Sequence, residues 1–202
     1  MYTAEIKGIT LDLETDPELF SPSGADAGTL AMLSEIDFDE GDKVLDLGCG
    51  CGVVGILAAK IIGESNVTMC DISPKAVEIS KLNAKNNGVC GVEIYLSDGL
   101  KDLPDRRFTM VLSNPPYHTD FSVAKHFIED GCARLETGGR MVMVTKRHDW
   151  YKNKLISVFG GVRVIERDGY FVFISEKREK RREKKDKNKG GLSKKLRRKL
   201  KR

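Results

Sequence analysis

No apolar run in this sequence approaches the roughly 18 residues of a membrane-spanning helix. The longest, Val53–Ile62, is broken by Lys60. The opening stretch, MYTAEIKGITLDLETD, lacks the basic and apolar regions of a signal peptide. Paired Cys-x-x-Cys spacing is missing as well. The five cysteines, Cys49, Cys51, Cys70, Cys90 and Cys132, are odd in number and scattered, which argues for reduced thiols in a cytoplasmic protein and against a zinc site. Cys49 and Cys51 fall inside a glycine loop where small residues are wanted in any case. No internal repeat is present, and 202 residues suffice for one buried core but not for two full-sized domains.

Charge is unevenly spread. Residues 177–202 hold 16 basic and 3 acidic side chains, a net +13, whereas residues 1–176 hold 18 basic and 27 acidic, a net −9. The overall +4 therefore joins an acidic body to a basic tail. Lys177–Lys189 has too little apolar content to fold alone, so disorder is its expected state. Beyond a Gly190-Gly191 hinge, Leu192, Leu196 and Leu200 recur every four residues and predict a basic amphipathic helix on contact with a partner.

From residue 43 onward, short β-rich runs alternate with helical periods, the pattern of a parallel sheet covered by helices on both faces. Strands are predicted at Lys43–Leu47, Val67–Asp71, Val92–Leu96, Thr109–Ser113 and Met141–Thr145. Helices are predicted near Val53–Ile62, Pro74–Asn86, Val123–Leu135 and Trp150–Phe159. Val162–Glu166 and Tyr170–Ser175 flank Asp168-Gly169 and read as a hairpin. Residues 1–42 add a short strand or hairpin, a loop through Phe20-Ser21-Pro22-Ser23-Gly24, and a helix capped by Asp26.

Gly48-Cys49-Gly50-Cys51-Gly52 joins a buried strand to a helix, and its glycines let a ligand approach the backbone closely. A dinucleotide site or a structural turn is the plainer reading. However, Asp46 precedes the first glycine, and the spacing departs from Gly-x-Gly-x-x-Gly. A pyrophosphate would be repelled there, whereas a sulfonium with an ammonium group, as in S-adenosylmethionine, would not. Asp71 ends the next strand, placed to accept ribose hydroxyl protons, and Asp98 ends the third, placed to accept from an adenine amino group.

Ser113-Asn114-Pro115-Pro116-Tyr117-His118 follows an apolar strand at the same sheet edge. Two prolines stiffen the backbone and supply carbonyls without N–H groups. The Asn114 amide oxygen and the Pro115 carbonyl are placed to accept from one planar amino group, with Tyr117 stacking on its ring. Elsewhere such a segment would simply end a strand.

With Asp46 to Gly52, Asp71, Asn114-Pro115-Pro116-Tyr117-His118, and Phe20-Ser21 followed by Asp26-Ala27-Gly28-Thr29, residues 5–176 resemble the "methyltransferase small" family of class I S-adenosylmethionine-dependent methyltransferases, which includes ribosomal RNA guanine-N2 enzymes. The resemblance implies a Rossmann-like α/β fold: a seven-stranded sheet with an antiparallel last strand. It implies one methyltransferase domain, residues 1–176, whose segment 1–42 covers substrate and cofactor, followed by the tail. The cofactor set is Asp46, Gly48, Cys49, Gly50, Gly52, Asp71, Ile72, Asp98, Gly99 and Asn114. Asn114, Pro115, Pro116 and Tyr117 would carry the reaction, and Phe20, Tyr117 and His118 would meet the substrate. No metal is expected. Guanine-N2 members show Phe where this chain has Tyr117, and larger ones carry an additional N-terminal domain not among these residues.

The expected activity is methylation of an exocyclic amino group in RNA, foremost guanine N2 of ribosomal RNA, with RNA also held by the tail. Adenine-N6 or protein glutamine-amide methylation, and a non-catalytic RNA-binding factor, are the alternatives. A nucleotide-dependent oxidoreductase is disfavoured by Asp46 and by the Asn-Pro-Pro segment.

Overall fold

The computed structural model describes residues 1–17, 19, 25–116 and 121–179. The elements run β1 (Tyr2–Ile6), β2 (Ile9–Leu13), α1 (Ala27–Ser34), β3 (Val44–Leu47), α2 (Val53–Ile62), β4 (Val67–Asp71), α3 (Pro74–Asn86), β5 (Glu93–Leu96), β6 (Phe108–Ser113), α4 (Phe121–Arg134), β7 (Leu135–Thr145), α5 (Asp149–Phe159), β8 (Arg163–Arg167) and β9 (Tyr170–Glu176).

Seven strands form one sheet in the order β5-β4-β3-β6-β7-β9-β8. Only β9 runs against its neighbours. The cause is local: Asp168 and Gly169 take φ of 53° and 78°, the mirror-image turn that matches strand twist. This hairpin slots β9 beside β7 and leaves β8 at the edge. At β3 the strand order reverses, and such a switch point opens a crevice beyond the strands' carboxyl ends.

Alternate strand residues face opposite sides. Val44, Met110, Leu112, Val142 and Val172 pack with α1, α2 and α3, while Leu45, Val111, Met141, Met143 and Phe173 pack with α4 and α5. Most predicted boundaries lie within one or two residues of the elements. β7 is the exception, starting at Leu135 rather than Met141. Gly138-Gly139 looks like a break, but Gly138 N–H donates to the Lys177 carbonyl at 2.7 Å and Lys177 N–H to the Gly139 carbonyl at 2.8 Å. The chain just past β9 thus holds a bulged stretch of β7 in place.

β1 and β2 form a separate hairpin docked on α3 through two asparagines one turn apart. Asn83 Oδ1 accepts from Glu14 N–H at 2.7 Å and its Nδ2 donates to the Glu14 carbonyl at 2.9 Å. Asn87 repeats the exchange with Asp12, at 3.0 and 2.7 Å. The two amides do for β2 what a neighbouring strand would do. Among the described residues no helix is long and apolar enough to cross a membrane, and no group of three His, Cys, Asp or Glu side chains is placed to hold a metal.

Candidate active site

A cavity of about 430 Å³ lies beyond the carboxyl ends of β3, β4, β5 and β6. Its size is ordinary for a small-molecule site. The glycine loop forms one wall. Gly48, Gly50 and Gly52 all have positive φ, at 78°, 56° and 91°, so the turn would strain any other residue. Gly48 and Cys49 N–H both donate to the Cys70 carbonyl, at 2.9 and 3.0 Å. From α3, Ser80 Oγ donates to the Gly50 carbonyl at 2.7 Å and Asn83 Nδ2 to the Cys51 carbonyl at 2.8 Å. The N-terminal hairpin and the loop therefore share one buried asparagine.

Carboxylates dominate the electrostatics. Asp46 is 3% exposed, and burial pushes its carboxyl up to about 7, a rise that the Gly55 N–H bond at 2.9 Å restrains and the nearby Asp71 charge reinforces. A buried acid without a cation is disfavoured when ionised, so this wall favours a positively charged occupant. Asp71 accepts from Gly50 N–H through Oδ2 and from Ser73 N–H through Oδ1, both at 2.9 Å. Each oxygen keeps a further lone pair able to accept a proton from a ligand hydroxyl. Ile72, 67% exposed, adds an apolar wall. Burial also raises the thiols of Cys49 and Cys70, the latter to about 12, so both line the pocket as uncharged groups.

Asp98 and Gly99 line the cavity too, but the Asp98 carboxylate is ion-paired with Lys101, whose hydrogen bond holds its pKa below the usual range. That oxygen is shared between a lysine and whatever enters.

Asn114, Pro115 and Pro116 meet the same cavity from the end of β6. Asn114 Nδ2 donates to Asp26 Oδ2 at 2.7 Å and to Thr29 Oγ1 at 3.0 Å. A carboxylate has no proton to give, so the amide nitrogen must face Asp26 and the amide oxygen must face away. Asn114 Oδ1 is buried without a hydrogen-bond partner among the described residues. An orphaned buried acceptor is unfavourable by about 1–3 kcal/mol, and a donor brought to it recovers that.

The structure brings eleven predicted residues to this cavity: Asp46, Gly48, Cys49, Gly50, Asp71, Ile72, Asp98, Gly99, Asn114, Pro115 and Pro116. Gly52, also predicted, shapes the loop from behind, facing Met69 and Ser80. Phe20, Tyr117 and His118 lie outside the described residues. The sequence marks Asp26 as a helix cap and as part of the family resemblance, but not for its grip on Asn114. It also gives no local sign of Ser80 and Asn83 beneath the glycine loop, or of Phe127, whose ring lies 3.4 Å from where a Gly48 side chain would start.

Comparison with known proteins follows the same outline. The family described as methyltransferase small domain matches residues 10–175. Ribosomal RNA small subunit methyltransferase C of Citrobacter koseri is 34% identical over 174 residues, covering 84% of this chain and 50% of that protein. Its Escherichia coli counterpart is 34% identical over 165 residues, covering 80% and 48%. The chain thus spans about half the length of the curated relatives it matches. Among solved structures, the 16S rRNA N2 methyltransferase of Thermus thermophilus in complex with AdoMet and guanosine is similar with a TM-score of 0.80 at 26% identity, covering 88% of this chain and 50% of that one. An RNA methyltransferase of Salinibacter ruber, in complex with S-adenosyl-L-homocysteine, gives 0.57 at 25% identity and covers 76% of this chain and 92% of its own.

Proposed function

The chain belongs to the methyltransferase small domain family, and from that premise we propose that it methylates an exocyclic amino group of an RNA base, guanine N2 of ribosomal RNA, with S-adenosylmethionine as donor. The relatives named for ribosomal RNA methylation and the neighbour with AdoMet and guanosine support this reading.

The residues present suit that donor. Asp46, set against the glycine loop, favours a cation; Asp71 suits ribose hydroxyls; Ile72 offers an apolar wall to a flat ring. When bound, S-adenosylmethionine supplies an electrophilic methyl group carried on a sulfonium.

The observation that carries the reading is the orphaned Asn114 oxygen. Together with the Pro115 carbonyl it makes a pair of acceptors for the two protons of one planar NH2 group. Accepting both protons draws the nitrogen lone pair out of conjugation with the ring and leaves it free to attack. Asn114 Oδ1 is shielded from solvent, so the target parts the atoms over it on entering, which also keeps water from the reacting nitrogen. No general base is required, since an alkylated amine is acidic enough to release a proton to water. Catalysis then rests on position and fixed dipoles. The basic tail, 177–202, serves to concentrate a polyanion beside a body of net charge −9.

Mass spectrometry of nucleosides from ribosomal RNA of cells with and without this chain tests the proposal. Loss of N2-methylguanosine from one position is expected. An unchanged nucleoside inventory, or loss of a different methylated base, contradicts it.

A further inference from the structure

Beyond the carboxyl end of β7, beside β6 and its Asn114, come Lys146, Arg147 and His148. None was singled out by the sequence patterns, yet they assemble with aromatic rings from three other elements. The Arg147 guanidinium lies 4.8 Å from the centre of the Phe121 ring, and Phe121 stacks on Trp150 with centroids 4.3 Å apart and planes at 13°. Lys146 Nζ lies 4.9 Å over the Tyr170 ring, which also abuts Gly28 next to Asp26. His148 extends this surface, 4.8 Å from Phe171.

Two features separate the cluster from ordinary core. Tyr151 and Phe173, at 2% and 0% exposed, are buried, but Phe121, Trp150 and Arg147 stay half-exposed and Lys146 is exposed. Lys146 and Arg147 are also adjacent cations on a body of net charge −9. The donor cavity occupies the carboxyl ends of β3, β4, β5 and β6; this surface occupies those of β7 and the start of β9.

From this juxtaposition we propose that Lys146, Arg147, Phe121 and Trp150 form a docking ledge for the single-stranded RNA flanking the target base. The inference rests on the RNA reading above. Lys146 and Arg147 pair with the phosphates on either side of the target, and a neighbouring base stacks on the aromatic edge at Trp150. Holding the flanking nucleotides there turns the target base toward Asn114, as an enzyme acting on an extruded base requires.

Trp150 is the sole tryptophan, so its emission reports on the ledge. The full chain is titrated with a short single-stranded RNA oligonucleotide while tryptophan emission and the anisotropy of a dye on the RNA are followed together. Emission is expected to quench in step with binding. In the Lys146→Gln, Arg147→Gln double variant the quench disappears, and the slope of log Kd against log salt flattens by about 1.4, at about 0.7 per phosphate contact on a single strand. Lys146→Gln alone, which leaves the Arg147–Phe121 stack untouched, flattens it by about 0.7. S-adenosylmethionine affinity stays unchanged. RNA that binds the wild type without altering Trp150 emission, with the same salt slope in the variants, overturns the ledge and leaves the RNA reading standing. If no RNA binds the wild type, the RNA reading falls and takes the ledge with it.

Discussion

Asp26 fixes which way Asn114 points. One carboxylate oxygen, Oδ2, accepts from Thr29 N–H at 3.0 Å, capping α1, and from Asn114 Nδ2 at 2.7 Å, so the start of a helix and the end of a central strand meet at a single atom. An acceptor-only partner leaves the amide one orientation, with its oxygen turned away from Asp26.

Asp26→Asn tests this directly. Asparagine caps a helix as well as aspartate does, so stability changes little. Its own NH2, however, lets the Asn114 amide rotate. The loss falls on kcat, on the order of 10- to 100-fold, as expected for a misoriented reacting group. Steady-state methyl transfer decides it, and a variant with wild-type kcat contradicts the orienting role.

Gly28→Ala runs against helix propensity. In an exposed helix the change stabilises by roughly 0.5–1 kcal/mol. Here a new Cβ meets Asp26 Oδ2 and the Tyr170 ring, both at 2.8 Å. Overpacking of that kind is unfavourable by about 1–3 kcal/mol, so the crowding wins. A lower Tm and an impaired Asn114 are expected; a higher Tm with full activity contradicts the packing.

Asp46 sets a pH dependence. Its folded pKa of about 7 lies above the unfolded value of roughly 3.9, so the folded state binds the extra proton and apo stability falls as pH rises across that window, then levels off. A cationic donor favours the ionised carboxylate, so affinity for S-adenosylmethionine rises toward pH 7. Asp46→Asn removes both slopes: its apo Tm exceeds wild type at about pH 8, and donor binding is weaker and flat with pH. Calorimetry and thermal melts between about pH 5 and pH 8 measure this. Flat wild-type affinity refutes the pairing of Asp46 with a cation.

Asn83→Ala and Asn87→Ala separate the two amides on α3. Asn83 is fully buried and makes three hydrogen bonds, to Glu14 twice and to Cys51. Its loss strands those groups and is expected to destabilise by about 3 kcal/mol, lowering Tm by roughly 6–12 °C and loosening the glycine loop. Asn87 is partly exposed, so water replaces it at about 1 kcal/mol. Equal effects of the two substitutions contradict the shared-clamp account.

These side chains also mark where the sequence was legible. The Asp168-Gly169 hairpin and the Asp-Leu-Gly-Cys-Gly loop are local signals, and they placed β9 and the cavity wall. The early start of β7 was not legible, because the partner that makes the Gly138-Gly139 stretch a strand is Lys177, distant in sequence. Asn83 and Ser80 look like a polar helix face until β2 and the loop are folded over them. Asp26 and Asn114 are 88 residues apart, and nothing local to either signals the other. The Lys146–Trp150 ledge was missed for a similar reason, since Phe121 and Tyr170 join it only through the sheet.

In the proposed reaction the Asn114 oxygen grips the amine that receives the methyl group. Single-turnover transfer from labelled S-adenosylmethionine to unmodified ribosomal RNA, comparing wild type with Asn114→Ala, tests it most directly. A rate lower by about 100-fold or more is expected, with donor affinity largely retained. An alanine variant that transfers methyl groups at the wild-type rate would contradict it.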